Sequence, residues 1–340
     1  NHHARIAYRN NKGKTPRQHA AEAGKSNTAR LIAIAENLME KGITSTQYGD
    51  ALIHAAEKGD HGQIAHLLEI GTSPVYHKAD GQTPLHAAAR NKNVTAVKHL
   101  LQAGANPNVK NAAGNTALME AAQAGQSAPM RALIQAGAHV NIRGATDSAI
   151  TYAVKQQHVE CVQILLDSGA DVDSRDTNDC CLVYLALMNK NSRILDILLR
   201  RGATVKTSCN GEPLLHTAIR QGSISDMQTL IKADSSIIYS ESARGDGAMQ
   251  VAAQIGNLKG MIVLAKAGIP LNVRDKEGRT LMHHAAENGH VEILNQLIQA
   301  KQNIRAKDNR NRTPLEYAER AEQQECVKIL KKAAEDMIRR

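Results

Sequence analysis

The sequence contains no tryptophan and no phenylalanine, and only seven tyrosines among 340 residues. That scarcity removes the aromatic platforms on which unpaired bases stack, so nucleic acid is not an expected ligand. Cysteine is sparse at five residues, with no Cys-x-x-Cys pair. Neither a disulfide-stapled scaffold nor a four-ligand zinc site fits that count, and a reducing intracellular compartment does. No apolar run is long enough to cross a membrane as a helix, and there is no signal-peptide pattern, lipidation signal or basic amphipathic helix. His-Glu-x-x-His segments, phosphate-binding glycine loops and nucleophile elbows are missing too. No catalytic, cofactor-binding or metal-ligating residue is therefore expected.

What the sequence does contain is a period. Gly81-Gln82-Thr83-Pro84-Leu85-His86-Ala87 and Gly278-Arg279-Thr280-Leu281-Met282-His283-His284 are two copies of one signature. With its threonine as a marker, equivalent positions fall at Thr15, Asp50, Thr83, Thr116, Ser148, Cys181, Pro213, Gly247, Thr280 and Thr313, spaced 32 to 35 residues apart. A period of that length marks a solenoid, in which each unit buries its apolar face only against its neighbours. Ten units make a single array over residues 1–340.

Seven markers are Thr, Ser or Asp, whose side chains cap a helix by accepting a free amide hydrogen. Pro16, Pro84 and Pro314 follow at the first helical position, where a missing N–H costs nothing. Leu85, Ala88 and Ala89 then recur at helical spacing, with small residues where a neighbouring helix approaches. Gly24, Gly59, Gly125, Gly222, Gly256 and Gly289, nine residues after their markers, are placed for a left-handed helix end. A second helix such as 291–298 follows, and then an extended finger such as 106–111.

At these residues the chain resembles the ankyrin repeat family: Thr83-Pro84-Leu85-His86-Ala87-Ala88-Ala89 and Gly169-Ala170-Asp171-Val172-Asp173 match its two diagnostic segments, over about residues 4 to 335. The resemblance implies an all-α ankyrin solenoid of helix-turn-helix units with projecting β-hairpin-like fingers. Departures occur at Arg17, at Asp179-Cys180-Cys181-Leu182-Val183-Tyr184 and at Ala233-Asp234-Ser235-Ser236, so weaker stacking is expected at units six and eight. The N-terminus reads as a finger without an initiator Met, as in an array cut from a longer protein.

The repeat also explains several residues that would otherwise suggest chemistry. His86, His216 and His283 share one signature position, and His19, His54 and His284 the next, so a structural role is expected. Cys161 and Cys326 fall in an apolar slot of the second helix, whereas Cys180 and Cys209 fall on fingers. Tyr152 and Tyr317, four after their markers, are expected to pack.

Net charge is +9 and concentrates at the ends. Arg244, Arg274, Lys276, Arg279, Lys307, Arg310 and Arg312 all lie within six residues before a marker. The resemblance places fingers and first helices on a concave partner-binding surface, which makes these seven a candidate basic stripe for an acidic protein partner. Tyr8 and Tyr76, at equivalent finger positions, are candidate aromatic anchors. The expected function is a monomeric, cytoplasmic protein–protein interaction scaffold. The alternative is the targeting arm of an enzyme whose catalytic domain lies outside these residues, as in host-directed effectors of intracellular bacteria that act in the host cytosol.

Overall fold

The computed structural model describes Lys14, Gln18, Glu22 and residues 45–205 and 212–338. All regular structure among them is helical. Contacts divide the chain into two compact units, one ending at Asp171 and the other beginning at Val172.

The first unit comprises α1 (Ser45–Lys58), α2 (His61–Glu69), α3 (Pro84–Arg90), α4 (Val94–Gln102), α5 (Ala117–Gln123), α6 (Ser127–Gln135), α7 (Ala149–Lys155) and α8 (Val159–Asp167). Odd-numbered helices pack on odd and even on even, each layer against the next. Leu85, Leu118 and Ile150 fill the same slot in successive first helices, and Ala88, Ala121 and Ala153 are buried beside them. Alanine at that point lets the helix axes approach closely enough for their ridges to interlock.

The second unit comprises α9 (Leu182–Met188), α10 (Ser192–Arg200), α11 (Leu214–Gln221), α12 (Ile224–Ala233), α13 (Ala248–Gln254), α14 (Leu258–Lys266), α15 (Leu281–Glu287), α16 (Val291–Gln299), α17 (Pro314–Arg320) and α18 (Gln324–Ile338). Ala233-Asp234 ends α12 without a glycine. A 3-10 turn, Ser235–Tyr239, takes over, started by the Asp234 carboxylate accepting the Ser236 N–H at 2.9 Å. The departures in units six and eight leave burial intact: Leu182 and Ala186 in α9 and Ala252 in α13 are fully enclosed.

Caps follow the marker residues with one correction. Thr83, Thr116, Ser148 and Thr313 each accept the N–H three residues on. Asp50 does not begin a helix, because α1 starts at Ser45 and runs through it. At several other markers the finger closes through a left-handed residue two before the marker, as at Gly81, Gly114 and Gly278. Tyr48 holds that place before Asp50 and lies within the helix. Thr15 and Gly24 lie outside the described residues.

Gly125 and Gly256 are left-handed helix ends, and a second constraint excludes a side chain there. The rings of His158 and His290 lie over them, 2.7 Å from where a Cβ would stand. Each ring's Nε2 also bonds a carbonyl of the preceding layer, Gln123 or Gln254.

The histidines of the signature are structural. Thr83 N–H donates to His86 Nδ1 at 3.3 Å, so His86 Nε2–H donates to the Asn115 carbonyl at 3.0 Å in the next layer. His283 repeats this between Thr280 N–H and the Arg312 carbonyl. His216 bonds the Ser240 carbonyl, but its Nδ1 is buried without a partner, since Pro213 offers neither N–H nor hydroxyl. Pro213→Thr is therefore expected to raise stability by about 0.5–2 kcal/mol, through a new cap and a satisfied ring nitrogen. Chemical denaturation measures this, and a loss of stability would contradict it.

Burial pushes the imidazolium pKa of His86, His216 and His283 down from its ordinary value. The unfolded chain then binds more protons than the folded one below about pH 6.5, so stability is complete above that pH and declines as pH falls toward the folded values. Each histidine contributes at most about 1.4 kcal/mol per pH unit in that window. The melting temperature is expected to drop steadily from pH 7 to pH 5, and a flat profile would contradict this.

Candidate protein-binding surface

Several fingers are built around one polar side chain five residues before the marker. Asp308 Oδ1 accepts the N–H groups of Arg310 and Arg312, both at 2.8 Å, while its own N–H donates to the Arg312 carbonyl. Asp176 does the same with Asn178 and Cys180, and Ser242 with Arg244 and Asp246. These are local turn bonds, in which the carboxylate replaces a strand partner. Only isolated antiparallel bridges such as Arg274↔Thr280 form within the fingers.

The same carboxylate reaches the residue four after the marker. In the last layer Tyr317 O–H donates to Asp308 Oδ2 at 2.8 Å. One layer earlier His284, fully buried, places Nε2 3.0 Å from Asp275 Oδ2. His54, at the equivalent position of α1, is exposed and faces Glu57 instead. His19 lies outside the described residues.

The seven basic residues of the expected stripe fall into two classes. Arg279 lies on Asp275, with Nε to Oδ2 at 2.7 Å, and also approaches Glu277 and Glu287. The Asp275 carboxyl feels burial, which would raise its pKa, but bonds from His284 and Arg279 prevail and bring it down to about 2. Arg312 pairs with Asp308 at 2.8 Å and stacks its guanidinium 4.6 Å from the centre of the Tyr317 ring. The Asp308 carboxyl is likewise held well below the usual carboxylate range by bonds from Arg312 and Tyr317 that outweigh its desolvation. Arg274 spans two fingers, donating to the Gly278 and Lys307 carbonyls. Lys276 approaches Glu241 at 3.4 Å.

Arg244, Lys307 and Arg310 form the other class. They are exposed, and their side chains meet no carboxylate within ion-pair distance among the described residues. Arg244 and Arg279 also line a polar cleft of about 430 Å³ with Asp246, Gln254, Glu277 and Glu287.

Tyr76 belongs to the finger, yet its ring lies against Gly49 of α1 and its hydroxyl donates to Asp50 at 3.0 Å. Half-exposed Val75 and Tyr48 border the same cleft, of about 510 Å³. Tyr8 lies outside the described residues. Tyr317 is buried, as is most of Tyr152, whose hydroxyl bonds Thr146 and Asn115. Cys161 and Cys326 are buried free thiols, with the Cys161 thiol pushed up to about 11 by burial. Cys180 is disulfide-bonded, and Cys209 lies outside the described residues. No cluster of metal-ligating side chains occurs among the described residues.

The profile of the family described as "Ankyrin repeats (3 copies)" matches residues 31–111, 52–144, 85–176, 150–240 and 248–340. The chain belongs to the ankyrin repeat family. The human ASB11 ankyrin repeat domain superposes with a TM-score of 0.57 at 26% identity, covering 64% of this chain and 98% of that one. Among curated proteins, the ankyrin repeat protein nuc-2 of Neurospora crassa is 26% identical over 45% of the chain and 14% of its own length. The putative palmitoyltransferase ZDHHC13 of Danio rerio is 31% identical over 50% of the chain and 27% of its own length. The nuclear factor NF-kappa-B p105 subunit of Gallus gallus is 28% identical over 45% and 16%. The chain thus spans about a quarter or less of these curated relatives. Ankyrin repeats mediate protein–protein interaction, and the fold itself is not catalytic.

Proposed function

We propose that this chain is a recognition scaffold that holds an acidic partner protein along its fingers and first helices, between Arg244 and Arg312. The observation that carries this reading is the division of the basic residues. Arg274, Arg279 and Arg312 brace the fingers, so that Arg244, Lys307 and Arg310 stand outward on a fixed frame with their charge unspent. A charged side chain held on a braced turn loses little further freedom on binding. Tyr76, together with Val75, forms a second, less polar patch.

The test is affinity capture with the chain and with its Arg244→Glu, Lys307→Glu, Arg310→Glu form, read by mass spectrometry. A protein retained by the first and lost by the second is expected, with the loss mirrored by raised salt in the parent. A binder indifferent to both the reversal and salt would place recognition elsewhere.

The similarity to a putative palmitoyltransferase, of which the chain spans only 27%, supports a second reading. Here the array would be the targeting arm of an enzyme. A catalytic domain in the full reading frame would decide for it.

A further inference from the structure

Residues immediately before a marker and seven after it, eight apart in sequence, meet across the base of four fingers. Asp147 pairs with Lys155 at 2.9 Å and Glu212 with Arg220 at 3.0 Å. Asp246 accepts from Gln254 at 3.2 Å, and Arg279 approaches Glu287 at 3.7 Å with the signs exchanged. Four layers thus place an acceptor opposite a donor at this crossing. Four others carry Gly49/Glu57, Gln82/Arg90, Asn115/Gln123 and Cys180/Met188, and among the described layers the last is the one that sets two like charges there, Arg312 and Arg320.

Among the described residues, the carboxylates of this layer's finger and first helix are engaged elsewhere. Asp308 is committed to Arg312. Glu316 folds back onto the Thr313 N–H and hydroxyl, and Glu319 holds Lys331 at 2.9 Å. Arg320 is exposed and makes no ion pair among the described residues, and Arg310, at the tip of the same finger, is in the same condition. Like charges placed where four other layers have a matched pair repel each other unless an anion joins them.

We propose that the last layer, at Arg310 and Arg320, is the docking point for an acidic segment of the partner, whose Asp or Glu side chain supplies at Arg320 the carboxylate that Glu212 supplies at Arg220. The assignment rests on the scaffold reading above and adds Arg320 to it. It commits the ligand to a run of carboxylates on a polypeptide. Charge complementarity is the argument: the crossing holds a carboxylate in several other layers and two cations here.

The test is fluorescence anisotropy with a labelled glutamate-rich peptide at low salt. The proteins are the parent, Arg310→Glu with Arg320→Glu, and a control of equal charge change at exposed sites in the other unit, Lys92→Glu with Lys98→Glu. The first pair is expected to weaken binding by about tenfold or more and the control by less than about twofold. Equal losses would mean diffuse attraction and overturn the assignment, as would a single-stranded oligonucleotide of the same length binding better than the peptide. The milder Arg320→Gln is expected to lie between parent and double reversal. Retention by the Arg310→Glu, Arg320→Glu form of the protein captured above would overturn the docking point and leave the scaffold standing. Failure to capture any salt-sensitive protein would count against the scaffold itself.

Discussion

Asp275→Ala is expected to lower the unfolding free energy by about 3–5 kcal/mol, a large share of what a single ion-paired side chain can contribute. The carboxylate is almost wholly enclosed and holds the Arg279 guanidinium and the Arg279 N–H, with Nε2 of buried His284 3.0 Å away. Removing it leaves Arg279 with only the more distant Glu277 and Glu287, and the Arg279 N–H and buried His284 without this acceptor, which costs more than the pair itself gains. Asp275→Asn keeps an acceptor for the Arg279 N–H and is expected to lose less. Because the Asp275 carboxyl is depressed to about 2, this stabilisation is complete above about pH 4 and fades as pH falls through the folded value. Urea unfolding at pH 7 measures the loss, and a change below about 1 kcal/mol would show that Arg279 is a solvated surface charge.

Leu118→Ala is expected to cost about 2–5 kcal/mol, the range for a fully buried leucine whose cavity cannot collapse. Leu118 is enclosed in α5, between α3 and α7. In a linear array each layer leans only on its neighbours. Amide exchange should therefore quicken in α3, α5 and α7 first, while α1 and α2 stay protected. Uniform loss of protection along the first unit would point to a single cooperative core instead.

The repeat and its helices were legible because each depends on a local rule visible in the residues. Thr83-Pro84 specifies a cap and a first turn, and a glycine such as Gly125 specifies a left-handed end. The same pattern predicted that His86 and His283 would be structural, and they are. Asp50 misled because it is placed inside a helix that begins five residues earlier, at Ser45, rather than at a helix start. The 3-10 turn at Ser235–Tyr239 was hidden because it follows from the loss of a glycine rather than from a positive signal.

The candidate surface was only half legible. Counting Lys and Arg before the markers located the basic fingers but could not separate bracing charges from presented ones. The separating signal lay in short spacings: Asp275 to Arg279 and Asp308 to Arg312 are four apart across a turn, which lets the carboxylate hold the guanidinium. Arg320 escaped because it lies on a helix rather than a finger. Its significance appears only when the eight-residue pairs Asp147/Lys155 and Glu212/Arg220 are set beside Arg312/Arg320. Tyr76 was read from its finger position alone, and no local pattern shows that its hydroxyl reaches back to Asp50.

The most direct test of the account is hydrogen–deuterium exchange on the chain with and without the protein it captures. Protection is expected at the finger and first-helix amides between Arg274 and Arg320, with α14 and α16 unchanged. Protection on α14 and α16, with the fingers at Lys307 to Arg312 unaffected, would contradict it.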